Sequence, residues 1–84
     1  MIDSKTLFEI RDKRNNVNGK FEVYRDIARM TIDNAIICIN DGDLEAAETW
    51  MKLGEYCTRK ISECKAQLED LEATLNKMKE RDLA

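Results

Sequence analysis

Apolar side chains recur every three or four residues through the second half of the chain: Ala47, Trp50, Cys57, Ile61, Cys64, Leu68, Leu71, Leu75 and Met78, with Gly54 filling the one position that lacks a side chain. That alternation of threes and fours is the seam of a coiled coil, and no Pro interrupts it. A helix with one apolar stripe is not stable alone in water and needs a partner with a matching stripe. The same step fits the first half: Leu7, Ile10, Arg14, Val17, Phe21, Tyr24, Ala28, Thr31, Ala35 and Cys38, with Arg14 the single charge.

Between the stripes lies Asn40-Asp41-Gly42-Asp43. Gly42 is suited to the left-handed conformation that ends a helix, and Asp43 is a good N-cap for the next one. Two long helices joined so tightly must run antiparallel. The expected fold is therefore all-α: a long, coiled-coil-like antiparallel helical hairpin. It forms one domain over residues 1–84, with a first arm at 4–40, a turn at 40–43 and a second arm at 43–80. Folding at the turn pairs Cys38 with Leu44, Ala35 with Ala47, Thr31 with Trp50, Ala28 with Gly54 and Tyr24 with Cys57. Farther out, Phe21 meets Ile61, Val17 meets Cys64, Ile10 meets Leu71 and Leu7 meets Leu75.

Two local features qualify this picture. Asn15-Asn16-Val17-Asn18-Gly19 is the least helical stretch and predicts a break or kink near residues 15–19. A β-hairpin turning at Asn18-Gly19 is the rival reading, disfavoured because the heptad phase carries through. At the start, Asp3 or Ser4 can cap the first helix, and Thr6 with Glu9 has capping-box spacing. The tail beyond Met78 has no layer to pack into and is expected to fray.

Apolar residues also fall outside the seam. Ile32, Ile36 and Ile39 form a second stripe, Met30 and Ile37 add to it, and Met51 and Leu53 flank the other arm. Two helices alone do not cover all of these, so the turn-proximal half is expected to be an interface. That interface would join the chain to itself, as a homodimer or higher oligomer forming a helical bundle, or to another protein.

Charge changes the picture little. Charged residues make up 37% of the chain and the net charge is −3. Residues 1–30 carry seven basic and five acidic side chains (+2), and residues 31–84 carry seven and twelve (−5). An acidic chain of this kind is a poor nucleic-acid binder. The basic cluster of Arg11, Lys13, Arg14, Lys20, Arg25 and Arg29 supplies a candidate anion site, taken as Arg11, Lys20, Tyr24, Arg25 and Arg29. A solvated helix face with Asp12, Glu22 and Asp26 interleaved is the favoured reading.

Catalytic chemistry is not legible. There is no His, hence no commonest general base or metal ligand. Cys38, Cys57 and Cys64 all fall in the seam, where thiols act as small buried hydrophobes, and they lack zinc spacing. The expectation is no enzyme, no cofactor and no metal. The polar start, the absence of a long apolar run and the reduced thiols predict a cytoplasmic chain. Asp43-Leu44-Glu45-Ala46-Ala47-Glu48 resembles the start of a helix in tetratricopeptide-type hairpins; there is no second repeat, and the resemblance implies nothing about activity.

Three functions fit these residues. The first is a regulatory protein-binding module of bacterial or phage type: an adaptor, chaperone or inhibitor that also self-associates. The second is an oligomer that sequesters an anionic small molecule or nucleotide through Lys20, Tyr24, Arg25 and Arg29. The third is a structural coiled-coil subunit of a larger assembly. The hairpin itself is tested by Cys residues placed at positions 7 and 75 in a background without the native thiols. They should crosslink within one chain; crosslinks found only between chains would mean that the arms do not fold back.

Overall fold

The computed structural model describes residues 4–83, with the side chains of 82 and 83 excepted. Two helices account for almost all of it: α1, Ser4–Asn40, and α2, Leu44–Leu83. They lie antiparallel in a rod 63 × 16 × 12 Å. Every seam position named above, on both arms, is buried or half-buried. The tightest points are Ala47, Cys57 and Thr31, at 1–2% exposure. Leu75, Val17, Cys64 and Ala35 complete the fully buried set.

The turn forms as its residues dictate. Gly42 takes φ +79°, which a residue with a Cβ adopts only with strain. Its N–H donates to Ile39 O at 3.0 Å, and the Asp43 N–H donates to Cys38 O at 2.9 Å. That pair of bonds is a Schellman motif, closing the carbonyl end of α1. Asp43 then reverses role: its Oδ1 accepts from the Ala46 N–H at 3.1 Å, capping α2. One residue thus ends one helix and starts the next, which is why the arms lie so close.

Several expectations need correction. No break occurs at 15–19; α1 is helical throughout. Val17 is buried in the seam, and burial against α2 outweighs the poor helix propensity of its Asn and Gly neighbours, which costs roughly 1 kcal/mol or less per residue. The rival β-hairpin is excluded by the same helix. The second arm continues past residue 80 to Leu83. Thr6 lies within α1, so the capping box does not mark its start; the candidate cap Asp3 lies outside the described residues. The Cys38–Leu44 layer does not close, because Leu44, the first residue of α2, remains 68% exposed.

Register is most visible at Gly54. A Cβ built there would stand 3.0 Å from Thr31 Oγ1 and 3.7 Å from Thr31 Cβ. Glycine therefore admits Thr31, rather than Ala28 as first paired. Thr31 Oγ1 donates to Ala28 O at 2.7 Å, so the buried hydroxyl is satisfied. Near the open end, Arg14 reaches across to Glu72 at 3.1 Å. Both partners are substantially exposed, and such a pair contributes about 0–1 kcal/mol. It assists the register and does not set it.

The Gly54–Thr31 contact makes a testable claim. Glycine costs a helix about 1 kcal/mol relative to alanine, so Gly54→Ala should stabilise if space allowed. It should instead be neutral or destabilising in the wild type, and stabilising by about 1 kcal/mol in a Thr31→Ala background. Denaturant melts of the four proteins check this; equal effects in both backgrounds would mean that the helices do not meet there.

Candidate functional site

The small side chains of the seam have a second consequence. Where Ala28, Thr31, Ala35 and Gly54 floor the contact, taller neighbours stand on either side as walls. Ile32, Ile36 and Ile39 rise from α1, and Trp50, Met51, Glu55 and Thr58 from α2. Together they enclose an open groove of about 350 Å³ along the turn-proximal half of the rod. Its lining is mostly hydrocarbon, and Glu55 supplies the one charge.

The expected interface residues are all exposed, with Ile36 52% and Met51 54% accessible. They do not form one patch. At about 100° per residue, Ile32, Ile36 and Ile39 fall within roughly 60° of one another, whereas Met30 and Ile37 lie about 140° farther round α1. Likewise Met51 lies on the groove side of α2 and Leu53 on the other. The chain therefore carries two apolar flanks: a grooved one (Ile32, Ile36, Ile39, Met51) and an opposite one (Met30, Ile37, Leu53). Val23, 56% exposed, extends the second flank at seven-residue spacing with Met30 and Ile37. Sequence reading passed it over although that spacing was visible.

The opposite flank also carries a polar cluster away from the turn. Tyr24, in the seam, meets the Tyr56 ring edge-on at 6.4 Å, a neighbour that lies beside the seam rather than in it. Lys60 Nζ lies 5.6 Å from the Tyr56 ring centroid and 3.3 Å from Glu63 Oε2. The Tyr24 hydroxyl is pushed above its ordinary 10.0, chiefly because a neighbouring Tyr56 phenolate would repel its own. Lys60 is raised above 10.5, chiefly by its hydrogen bond to Glu63. The signal was present in the i, i+4 pair Tyr56 and Lys60, but only the partner helix reveals what faces them.

The candidate anion residues are not brought together. Arg11 and Arg29 are eighteen residues apart, about 27 Å along the helix. Lys20 and Tyr24 point to a different side from Arg25 and Arg29, by about 100° or more. Arg25 instead stands over Phe21, with Cζ 5.9 Å from the ring centroid. Cys57 and Cys64 are buried and Cys38 is half-buried, and among the described residues no cluster of Cys, Asp and Glu is arranged to hold a metal. No described helix is long and apolar enough to cross a membrane.

The cluster has a pH signature. Both Tyr24 and Lys60 bind protons more tightly in the fold than in the unfolded chain. Each therefore contributes stability that is full below its unfolded value and lost as pH rises through its folded one. Melting temperature should fall above about pH 10, and Tyr24→Phe should fall less over that range while keeping the ring contact. Circular dichroism melts from pH 7 to about 11 check this; identical curves for the two proteins would remove Tyr24 from the linkage.

No protein family, curated protein or solved structure matches the chain.

Proposed function

We propose that this chain is a non-catalytic helical docking module, of the adaptor, chaperone or inhibitor kind, that works by packing its turn-proximal half against another helical surface. The observation that carries this reading is the apolar groove between Ile32, Ile36, Ile39 and Met51, left open by a seam of small residues. Grooves of this shape accept the apolar face of a helix, with side chains at i, i+3, i+4 and i+7 as anchors. A contiguous apolar patch on a rod of this size is an interaction surface before it is anything else.

Magnitudes bound the affinity. Fully burying an Ile or Met stabilises by about 1.5–3 kcal/mol. These side chains are already about half covered, so each has about 1 kcal/mol left to gain. Four of them reach the lower end of the association cost, about 4–15 kcal/mol. The groove alone thus supports weak docking, and charged contacts or the second flank must supply the rest.

The test uses the full chain as bait in its native host, beside Ile36→Glu on the grooved flank and Ile37→Glu on the opposite one. At least one substitution should abolish recovery of a co-purifying protein while the bait remains helical. An identical set of proteins from all three baits would overturn the reading.

A further inference from the structure

We infer that a second copy of this chain pairs with the first along the ungrooved flank, α1 against α1, parallel and in register about a two-fold axis that runs along the rod beside Asn34. The groove lies on the other side and stays open to the partner proposed above, so this pairing does not depend on that reading.

The argument comes from a second heptad on α1. Val23, Ile27, Met30, Asn34 and Ile37 follow one another at steps of four, three, four and three residues. At about 100° per residue they fall within roughly 80° of one another, about 100° round the helix from the seam that meets α2. Val23, Met30 and Ile37 are about half exposed, and Ile27 and Asn34 are half-buried. This is a coiled-coil stripe with a and d positions of its own, and such a stripe packs against a helix. Asn34 selects which helix. It falls at an a position, and among the described residues no intrachain hydrogen bond engages its side-chain amide. A lone Asn at an a position of an apolar stripe fixes register and pairing, because its amide offers donors and an acceptor that an identical Asn at the same level satisfies. In a parallel, in-register pair, Asn34 meets Asn34 while Ile27, Met30 and Ile37 each meet their own copy, as an isologous contact requires. An antiparallel pair centred on Asn34 would set Ile27 against Asp41 and carry Val23 past the turn; one centred on Met30 would part the two amides.

The area available is sufficient. A compact monomer of 9.8 kDa exposes about 5,200 Å², whereas this chain exposes 6546 Å². The excess, roughly 1,400 Å², is larger than the about 800 Å² that each partner of a standard interface covers.

Sedimentation equilibrium of the purified full chain over about 5–500 µM tests the pairing. Wild type should be a dimer within that range. Ile37→Glu should weaken dimerisation by at least about tenfold, and Ile36→Glu, on the grooved flank, should not. Both positions are exposed, and circular dichroism verifies that each variant remains helical. Asn34→Ile should tighten association by about tenfold or raise it above the dimer, since the amide sets the pairing at a cost in affinity. Direction is read separately by Ile37→Cys in a background without the native thiols, which should form an interchain disulfide in a glutathione buffer. In an antiparallel pair about Met30, the two positions would stand about 20 Å apart along the rod and remain unlinked. A wild type that stays monomeric throughout overturns the inference. So does a dimer broken by Ile36→Glu rather than Ile37→Glu, which would place the contact in the groove. An Asn34→Ile dimer of unchanged affinity and order, or an Ile37→Cys dimer that does not link, overturns it as well.

Discussion

The structure depends on how closely two helices approach at Gly54 and Thr31. A side chain at position 54 would need space that the Thr31 hydroxyl fills, 3.0 Å from where a Cβ would stand. That hydroxyl is itself tied to Ala28 O, so the buried threonine carries no unmet polar atom. Close approach explains both the narrow cross-section and the groove. Large seam residues would have pushed the helices apart and filled the depression. Small ones leave the flanking isoleucines standing above the contact, about half exposed.

The rod is consequently unequal along its length. Toward the open end, leucines and valine fill the seam, and the polar residues Arg14 and Glu72 bridge its edge. The hairpin is self-sufficient there. Toward the turn, Ala28, Thr31, Ala35, Ala47 and Gly54 bury little apolar area, while Ile32, Ile36, Ile37, Ile39 and Met51 remain about half exposed. An isolated hairpin would place its hydrocarbon on the outside of its thinnest part. Helical bundles resolve that arrangement by adding helices against the exposed flank. The proposed docking function rests on this inequality.

The candidate sites fared differently because they rest on different kinds of geometry. Residues at i, i+4 and i+7 share a side of any helix, so Ile32, Ile36 and Ile39 belong together whatever the tertiary structure does. The basic set shares that spacing only in pairs, Lys20 with Tyr24 and Arg25 with Arg29. Arg11, Lys20, Tyr24, Arg25 and Arg29 are close in sequence, but a straight helix spreads them along its length and around its axis. Of that set, Arg25 and Arg29 acquire meaning as the continuation of the isoleucine stripe, and Tyr24 acquires it as half of an aromatic pair.

The sequence by itself determined the two helices, their antiparallel sense, the turn and the residues of the seam. Heptad spacing fixes which side of each helix avoids water, and Gly42-Asp43 allows few ways to connect them. It overstated the break at Asn15–Gly19, because propensity is a per-residue preference of roughly 1 kcal/mol or less and burial of Val17 against the opposite arm outweighs it. Tertiary structure alone decided what faces what across the seam: Thr31 against Gly54, Tyr24 against Tyr56, Arg14 against Glu72, and Leu44 left open. It also decided that the surplus apolar residues divide into two flanks, one of them grooved. Such choices depend on axial offset and on the distance between helices, which the heights of paired side chains set jointly. A periodic pattern on one strand of sequence carries no measure of either.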